Sequence, residues 1–501
     1  MGILPCRLPC HIESSHKEKS DKSHSNHHNQ LYSESSLSSQ PSLPSVPSLQ
    51  LHQQQKQQQN ASKTGHQYDA VATLKSHSSY ISSLVLAGKF LYSASSDGAI
   101  RLWARDHYNS NSSTSTSLAT SYQSVNNSVV VTTDTAVKSI VVCGDKLFTA
   151  HQDHKIRAWK IENDNTNNNK NDNNSVSYKC IATLPTFNDR FGRLFSAKNY
   201  VTVRRHKKRT WVHHNDAVSA LAVSDDGSLL YSASWDRTFK VWRASDFKCL
   251  ESVHNAHDDA VNAIAVSRDG HVYTGSADRR IKAWLKPPGQ KRHSLVATLE
   301  KHRSAVNALA VSGDGKVLYS GACDRSVLVW ERSDRGNMEV VGAVRGHSKA
   351  ILCLAVVADL VCSGSADCSV RVWRRSGIAK SYACLAVLEG HTRPVKCLTL
   401  AVNGGGGSSE NGGSDSGSSY LVYSGGLDCE IKSSEGPMMR TSYRKIPRFS
   451  RIWALGRPSR VGFLEHPGGV PPVPLGVALV RAGGGGWRCD VVQQWVGEVC
   501  C

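Results

Sequence analysis

One short pattern recurs along this chain and constrains its fold more than any other feature: an Asp stands six residues before a Trp. The pattern occurs six times, in segments such as YSASWDRTFKVW (231–242) and YTGSADRRIKAW (273–284). A seventh segment, YSGGLDCEIKSS (423–434), begins alike but has Ser where the Trp is expected. Self-similarity of this kind is typical of repeat proteins, in which each unit buries its apolar surface against the next.

Two further positions belong to the pattern. A Ser or Thr lies four residues before each Asp, and a His lies four residues before a β-branched residue that opens an apolar strand. The second repeat alone lacks this His and has Thr133 in its place. The residues that make up the pattern are His77, Ser93, Asp97, Trp103, Thr149, Asp153, Trp159, His214, Ser232, Asp236, Trp242, His257, Thr274, Asp278, Trp284, His302, Ser320, Asp324, Trp330, His347, Ser363, Asp367, Trp373, His391, Ser424 and Asp428.

These four residue types can form a hydrogen-bonded chain inside each unit. The carboxylate can accept a hydrogen bond from the His, the His can bond the hydroxyl, and the hydroxyl can bond the indole N–H. Such a chain satisfies polar groups that would otherwise be buried without partners. We interpret the set as a structural staple, because a catalytic reading would require the same dyad to be catalytic six times.

Each repeat contains four strand-like runs, which in the third repeat are AVSALAVS, LLYSAS, TFKVWRA and KCLESV. Unbroken apolar runs of this length fit sheets that are buried against neighbouring sheets. The Asp-to-Asp spacing is 42 residues from Asp236 to Asp278, 46 to Asp324 and 43 to Asp367. The pattern resembles WD40 repeats, which recur every 40–45 residues and form β-propellers.

The resemblance implies an all-β fold, a seven-bladed propeller over residues 67–433. The segment YDAVATL (68–74) is similar to SLVATL (294–299) and to ACLAVL (383–388), which are outer strands that precede the next repeat. We therefore expect 68–74 to be the outer strand of the seventh blade, so that the ring closes between the two ends of the repeat region.

The chain also resembles the plant JINGUBANG-like group of WD40 proteins. The matching features are CIATLPTFNDRFGRLF (180–195), the stretch that leads into RRHKKRTWVHHNDAVSALAV, and the segments SADRRIKAW, GACDRSVLVWERSD and ILCLAVVADLVCSGSAD. This resemblance implies a non-catalytic interaction protein of cytoplasm and nucleus that regulates through protein partners.

Composition limits the other classes. The net charge of +19 is concentrated in 187–212, which hold eight Lys or Arg against one Asp, and in the C-terminal tail. The 15 cysteines form no C-x-x-C pair, so we predict no disulfide framework, metal site or cofactor. No apolar run is long enough to predict a membrane span. Phosphate-loop, nucleophile-elbow and kinase motifs are absent, so we predict that the protein is not an enzyme.

The two ends differ from the repeats. Residues 1–66 are rich in Ser, His and Gln and are predicted to be disordered; their His tract fits a flexible tail better than a metal site. Residues 434–501 carry no repeat pattern. We hypothesise that they are an aberrant end, read from a shifted frame or a retained intron. With Ser434 in place of Trp, the seventh blade should lose its anchor and part of its third strand, and ring closure should weaken.

Residues beside the repeated Asp are the candidates for partner contacts. The positions before Asp are mostly small, but one of them is Trp235, and basic residues follow Asp in three successive blades. We predict a basic arc with one aromatic residue beside it, formed by Trp235, Arg237, Arg279, Arg280 and Arg325. The alternative is that the Arg side chains are simply solvated and that Trp235 leans on a neighbouring loop.

The run RRHKKR (204–209) lies in a long insertion between the second and third blades. Its basic residues are Arg204, Arg205, Lys207, Lys208 and Arg209. They could form a nuclear-import signal, a contact for phosphate or an acidic partner, or a solvated loop, and we favour import. Few aromatic residues accompany the run, which argues against nucleic-acid binding by the propeller itself.

Together these patterns predict a monomeric protein–protein interaction scaffold or regulator that binds, for example, a transcriptional regulator. One alternative is a substrate-receptor subunit of a ubiquitin ligase, although the W-D-x-R motif of one receptor class is missing after every repeat Trp. The other is a binder of acidic ligands, phosphoinositide or nucleic acid, through the 204–209 loop.

Overall fold

The computed structural model describes residues 46–49, 69–104, 129–163, 176–204, 207–333, 336–376, 381–403 and 419–437. Within these ranges the chain forms seven four-stranded antiparallel sheets and one two-stranded hairpin. The sheets follow one another as the blades of a ring, and the predicted seven-bladed β-propeller is confirmed. Strand β1 (Asp69–Lys75) precedes the seven units.

Each blade places its first strand at the centre of the ring and its last strand at the rim. Blade one contains β2 (Ile81–Ala87), β3 (Phe90–Ser95), β4 (Ala99–Ala104) and β5 (Val129–Thr132). Blade two contains β6 (Val137–Cys143), β7 (Lys146–His151), β8 (Ile156–Asn163) and β9 (Val176–Leu184). The insertion that follows contains helix α1 (Phe187–Leu194), a 3-10 turn (Ala197–Asn199) and the hairpin β10 (Tyr200–Arg204) and β11 (Lys207–Thr210).

The remaining blades repeat the same arrangement. Blade three contains β12 (Val218–Val223), β13 (Leu229–Ser234), β14 (Phe239–Arg243) and β15 (Cys249–Val253). Blade four contains β16 (Val261–Val266), β17 (Val272–Ser276), β18 (Ile281–Leu285) and β19 (Ser294–Leu299). Blade five contains β20 (Val306–Val311), β21 (Val317–Ala322), β22 (Ser326–Arg332) and β23 (Met338–Arg345). Blade six contains β24 (Ile351–Val357), β25 (Leu360–Ser365), β26 (Val370–Arg375) and β27 (Tyr382–Leu388), and blade seven contains β28 (Val395–Asn403), β29 (Ser419–Gly426) and β30 (Glu430–Pro437).

The cores lie between neighbouring blades. One apolar cluster, for example, joins Tyr231 and Phe239 of blade three to Ile264 and Trp284 of blade four. Phe239 and Trp284 are in ring contact, with centroids 5.3 Å apart. Each blade therefore buries apolar surface against both neighbouring blades, as the unbroken apolar runs of the sequence require.

Every innermost strand begins with a β-bulge after its first, β-branched residue. In blades three, four and five the extra residue of the bulge bonds the next blade. Ser219 Oγ donates to Val261 O at 2.5 Å, and Asn262 Nδ2 donates to Val306 O at 3.0 Å. A bulge re-aims a side chain, and here it supplies hydrogen bonds across the blade boundaries.

The ring closes on β1, which pairs antiparallel with β30 as the outer strand of blade seven. Lys75 Nζ lies 2.7 Å from Glu430 Oε1 across this pair. The expected shortening of the third strand of blade seven is wrong, because β30 runs to Pro437 and pairs with both β29 and β1. The backbone of this strand is thus paired on both sides although Ser434 stands at the Trp position.

The predicted N-terminal segment 1–66 and the predicted tail 434–501 lie largely outside the described residues. Within 1–66, however, residues 46–49 differ from the predicted disorder and lie against the rim of the propeller. Their backbone pairs with β23, because an outer strand offers unpaired N–H and C=O groups at its free edge. Of the predicted tail 434–501, only residues 434–437 lie within the described part of the chain.

Candidate functional site

The face that carries the repeated Asp is organised by one hydrogen-bonded chain per blade. In blade four, His257 Nδ1 donates to Asp278 Oδ2 at 2.8 Å, and Thr274 Oγ1 donates to His257 Nε2 at 2.7 Å. Trp284 Nε1–H donates to Thr274 Oγ1 at 2.9 Å. A carboxylate can only accept, so the Asp fixes the proton on Nδ1 and thereby the direction of the whole chain.

The other blades repeat these contacts with small differences in distance. His and Asp lie within 3.3 Å of each other, and each His lies within 2.9 Å of its hydroxyl, in the sets His77–Asp97–Ser93, His214–Asp236–Ser232, His302–Asp324–Ser320, His347–Asp367–Ser363 and His391–Asp428–Ser424. The indoles that donate to the hydroxyls of blades one, three, five and six are Trp103, Trp242, Trp330 and Trp373.

Burial favours a neutral His in these chains, whereas hydrogen bonding keeps the Asp ionised. Desolvation by burial lowers the pKa of His214 and of His347, which favours the neutral imidazole. Burial alone would raise the pKa of Asp278, but the interactions with His257 and the hydrogen bonds from the backbone N–H groups of Arg280 and Asp258 together outweigh this and lower that pKa to about 2. Both ring nitrogens of each His are occupied, which is the arrangement of a structural network.

In blade two a histidine from a different position bonds the buried hydroxyl that the Trp also bonds. His151 is fully buried at the end of β7, where blades one and three have Ser. Its Nε2 lies 2.7 Å from Thr149 Oγ1, which also accepts from Trp159 Nε1–H at 3.0 Å. Its Nδ1 lies 3.2 Å from Thr135 Oγ1.

Asp153 therefore stands outside the chain of blade two and accepts from Arg157 Nη2 at 2.8 Å instead. Thr133, at the usual His position, donates to Gly98 O at 3.0 Å. The sequence did contain the signal for His151, because alignment of the repeats places this His where Ser95 and Ser234 stand.

Blade seven replaces its missing Trp from a neighbouring position. Ser434 pairs with Val422, just as Trp242 pairs with Leu230 at the equivalent position of blade three. Tyr420 lies two residues before Val422 and therefore on the same face of the sheet. Tyr420 is almost completely buried and packs in one cluster with Val372 and Ala386 of blade six.

The corresponding cluster of blade three contains Trp242 together with Ala158 and Ala182 of blade two. These two alanines occupy the repeat positions that Val372 and Ala386 hold in blade six. Tyr420 thus fills the space that the indole fills elsewhere, and this role was not predicted from the sequence.

The residue after Asp adopts the left-handed conformation in all seven turns, with φ between 66° and 81° at Gly98, His154, Arg237, Arg279, Arg325, Cys368 and Cys429. The Asp side chain holds this turn by accepting from the backbone two residues on, as at Arg280 N–H, 2.9 Å from Asp278 Oδ1. We call the face formed by these turns and the His loops the turn face.

The three turn arginines point into solvent. Arg237, Arg279 and Arg325 are exposed, and none of them forms an ion pair within the described ranges. Arg280 differs, because it lies 2.6 Å from Asp258 Oδ2 and 2.7 Å from Glu300 Oε1. The structure thus leaves three cations of the predicted arc available and engages the fourth in ion pairs.

Trp235 belongs to a small cluster that spans three blades. It is half-buried, and Lys138 Nζ lies 5.5 Å from the centroid of its ring. The same ammonium donates to Tyr80 Oη at 3.1 Å. Burial raises the pKa of Tyr80, but hydrogen bonds with Ser96 and Lys138 and the nearby lysine charges outweigh it, so this pKa is lowered. Trp235 therefore contacts Lys138 while part of its ring stays exposed.

Lys138 is the extra residue of the bulge in β6, the position at which blades three and four have Ser219 and Asn262. Those residues bond the next blade, whereas Lys138 carries a charge to the turn face. Alignment of the repeats could have identified it, since it is one of only two Lys at this position, the other being Lys396.

The insertion after blade two carries a second exposed feature. Phe187, Phe191 and Phe195 follow one another at the spacing of a helix face on α1, and Phe187 and Phe195 are 67% and 81% exposed. Their neighbouring ring centroids are 5.8 and 5.4 Å apart. This stripe was not predicted from the sequence, although the three Phe recur at i, i+4 and i+8.

The helix is fixed to blade three by Asp189, which accepts from Cys249 N–H at 2.7 Å and pairs with Arg193. The predicted import run lies on the adjoining hairpin, where Arg204 ends β10 and Lys207, Lys208 and Arg209 belong to β11. Arg205 lies outside the described residues.

Within the described part of the chain, no group of three or more His, Cys, Asp or Glu is arranged to hold a metal ion. Among the described helices, none is long and apolar enough to cross a membrane.

Comparison with protein families finds a match to five of the repeats. The family model described as "WD domain, G-beta repeat" matches residues 68–104, 205–243, 247–284, 293–331 and 338–374. Among solved structures, the crystal structure of the WD40 beta propeller domain of Doa1 is similar, with 19% identity, a TM-score of 0.49, and coverage of 74% of this chain and 96% of that chain. No curated protein sequence matches the chain.

Proposed function

Because this chain is a WD40-repeat protein folded as a seven-bladed propeller, we propose that it is a non-catalytic scaffold that binds a protein partner through the turn face. The observation that supports this most directly is that exposed Arg237, Arg279 and Arg325 and the half-buried Trp235 all belong to turns of this one face. Arginine and tryptophan are the residue types most often found at the centres of protein interfaces.

The geometry favours a partner segment that carries acidic residues next to an apolar side chain. The three guanidinium groups can bind carboxylates in bidentate fashion. The exposed part of Trp235, already in contact with Lys138, can cover the apolar group. The resemblance to the JINGUBANG-like group supports a transcriptional regulator as this partner, and with it residence in both cytoplasm and nucleus.

An affinity pull-down with the full chain tests the proposal. Trp235→Ala and Arg279→Glu should each remove the partners that the wild type retains. The matched control is Arg292→Glu, because Arg292 is also exposed but lies in the β18–β19 loop, at the opposite end of the strands of the same blade. An unchanged set of partners in both variants would refute the turn face as the binding site.

A second candidate function is the binding of an acidic ligand by the insertion, supported by the exposed Phe stripe and by the basic sequence of the hairpin that follows it. Segments that combine aromatic and basic residues are typical of proteins that bind anionic lipid membranes. Co-sedimentation with phosphatidylserine vesicles should decrease for Phe191→Asp and for Lys208→Glu. Equal sedimentation of wild type and both variants would reject this function without affecting the turn face.

A further inference from the structure

A short segment from before the repeats lies in a groove at the rim of the propeller. Residues 46–49 run between β23 of blade five and the start of β27 of blade six. Leu49 N–H donates to Ala343 O at 3.0 Å, and Ala343 N–H donates to Pro47 O at 2.9 Å. Tyr382 N–H donates to Leu49 O at 2.9 Å. The segment therefore extends the sheet of blade five and also bonds blade six.

The side chains of the segment divide into two anchors and two exposed residues. Val46 is half-buried against the apolar cluster between blades four and five, and Leu49 is half-buried against the cluster between blades five and six. Pro47 and Ser48 are exposed. The spacing of the anchors matches the spacing of the two clusters across blade five, so an extended segment can reach both.

Two positions show that the groove fits this backbone. A Cβ added at Gly342 would overlap Leu49 Cγ and would lie 2.9 Å from Pro47 O, so only glycine lets the segment approach. Pro47 accepts a hydrogen bond at its carbonyl oxygen, and the hydrogen bonds between the segment and the two blades use no N–H at position 47. Its ring favours an extended backbone. Proline at this place therefore lowers the entropy cost of docking without the loss of a hydrogen bond.

We propose that this groove, which we call the rim groove (Met338–Arg345 and Tyr382), is a docking site for an extended peptide of the form apolar–Pro–any–apolar, and that Val46–Leu49 is its resident ligand in the same chain. Recognition is by strand addition, with backbone hydrogen bonds for affinity and two apolar pockets for specificity. The stretch PSLPSVPSL (41–49) contains Pro-Ser-Leu twice, so the chain carries a second related sequence beside the docked one. The rim groove does not depend on the function proposed for the turn face.

A peptide-binding experiment on the full chain tests this. Val46→Asp with Leu49→Asp should release the resident segment. A fluorescein-labelled peptide of residues 43–51 should then bind the double variant at least about tenfold more tightly than the wild type, where the tethered segment competes at an effective concentration on the order of 1 mM. Absence of peptide binding to the double variant would overturn the proposal.

The glycine provides the matched control. Gly342→Ala added to the double variant should weaken peptide binding by at least about tenfold, because the added methyl group blocks the groove. Gly313→Ala, also in blade five, should leave binding unchanged, since an added Cβ there meets no atom within 4 Å. Equal binding by the two glycine variants, both shown by circular dichroism to be folded, would overturn the placement. A wild-type dimer that dissociates in the double variant would assign the segment to a second copy and overturn the same-chain docking.

Discussion

His151 makes a prediction about stability and pH that follows directly from its surroundings. Burial, and next the positive charge of Arg157, lowers the pKa of this imidazole from 6.5 to about 4 in the folded chain, while Asp153 opposes the shift. In the unfolded chain the imidazole binds its proton with the ordinary pKa. The unfolded state therefore takes up a proton first as the pH falls, and folding loses free energy in that range.

The sign and size follow from the two pKa values. The contribution of His151 is fully present above pH 6.5 and is lost progressively as the pH falls towards 4. A difference of 2.5 pH units corresponds to about 3 kcal/mol of unfolding free energy. His151→Gln keeps an amide that can bond Thr149 and Thr135 but cannot titrate, so its stability should fall by about 3 kcal/mol less between pH 7 and pH 4.

Urea denaturation followed by tryptophan fluorescence at several pH values measures this difference. The other buried histidines with lowered pKa values, His77, His214 and His347, are present in both proteins and cancel in the comparison. His154→Asn is the matched control, because His154 lies in the same turn, is only half-buried, and Asn tolerates its positive φ. Parallel pH profiles for wild type and His151→Gln would refute the reasoning.

Three further predictions concern packing and turn geometry. Tyr420→Ala should destabilise the chain by about 3–5 kcal/mol through the cavity it leaves, and Ser434→Trp should recover part of this in the Ala variant while it adds nothing to the wild type, as thermal melts would show. Gly98→Ala should cost more than Gly88→Ala, by thermal melts, because both have positive φ but only the first would place a methyl group on a backbone carbonyl oxygen. Arg279→Gly should raise stability by up to about 1 kcal/mol, by relief of the left-handed conformation, and should weaken partner capture in a pull-down.

The fold was predictable because its determinants recur. A single His–Ser–Asp–Trp set would be a weak pattern, but five complete sets, four of them in succession at Asp-to-Asp spacings of 42, 46 and 43 residues, specify one blade and its neighbours. The innermost strands recur in the same way, since the β-branched residue that opens each of them is completely buried in every blade. Local pattern and tertiary environment thus agree at these positions.

The residues that replace the missing His of blade two and the missing Trp of blade seven were harder to predict, because their roles depend on which side chains share a face of the sheet. His151 lies at the end of strand β7, whereas the His of the other blades lies in the loop before the innermost strand. Tyr420 fills the space of the indole from β29, whereas the repeat Trp lies on the third strand of its blade. Neither relation exists in the one-dimensional spacing; both require the register of the sheet. Docking of 46–49 could not be predicted for a similar reason, since the groove is formed by two strands some 40 residues apart in the sequence.

The left-handed turn links stability to function on the turn face. All seven turns need a positive φ, and glycine adopts it most cheaply, yet only blade one has glycine there. Arginine at this position in three successive blades carries a local cost on the order of 1 kcal/mol each. The three Arg side chains reach solvent and form no ion pairs with the described residues. The strain at these turns is therefore not offset by any contact of the Arg side chains within the fold. Strain that persists at exposed, unengaged cations is expected where a partner uses them, and Arg279→Gly separates the two effects because it should gain stability while it loses binding.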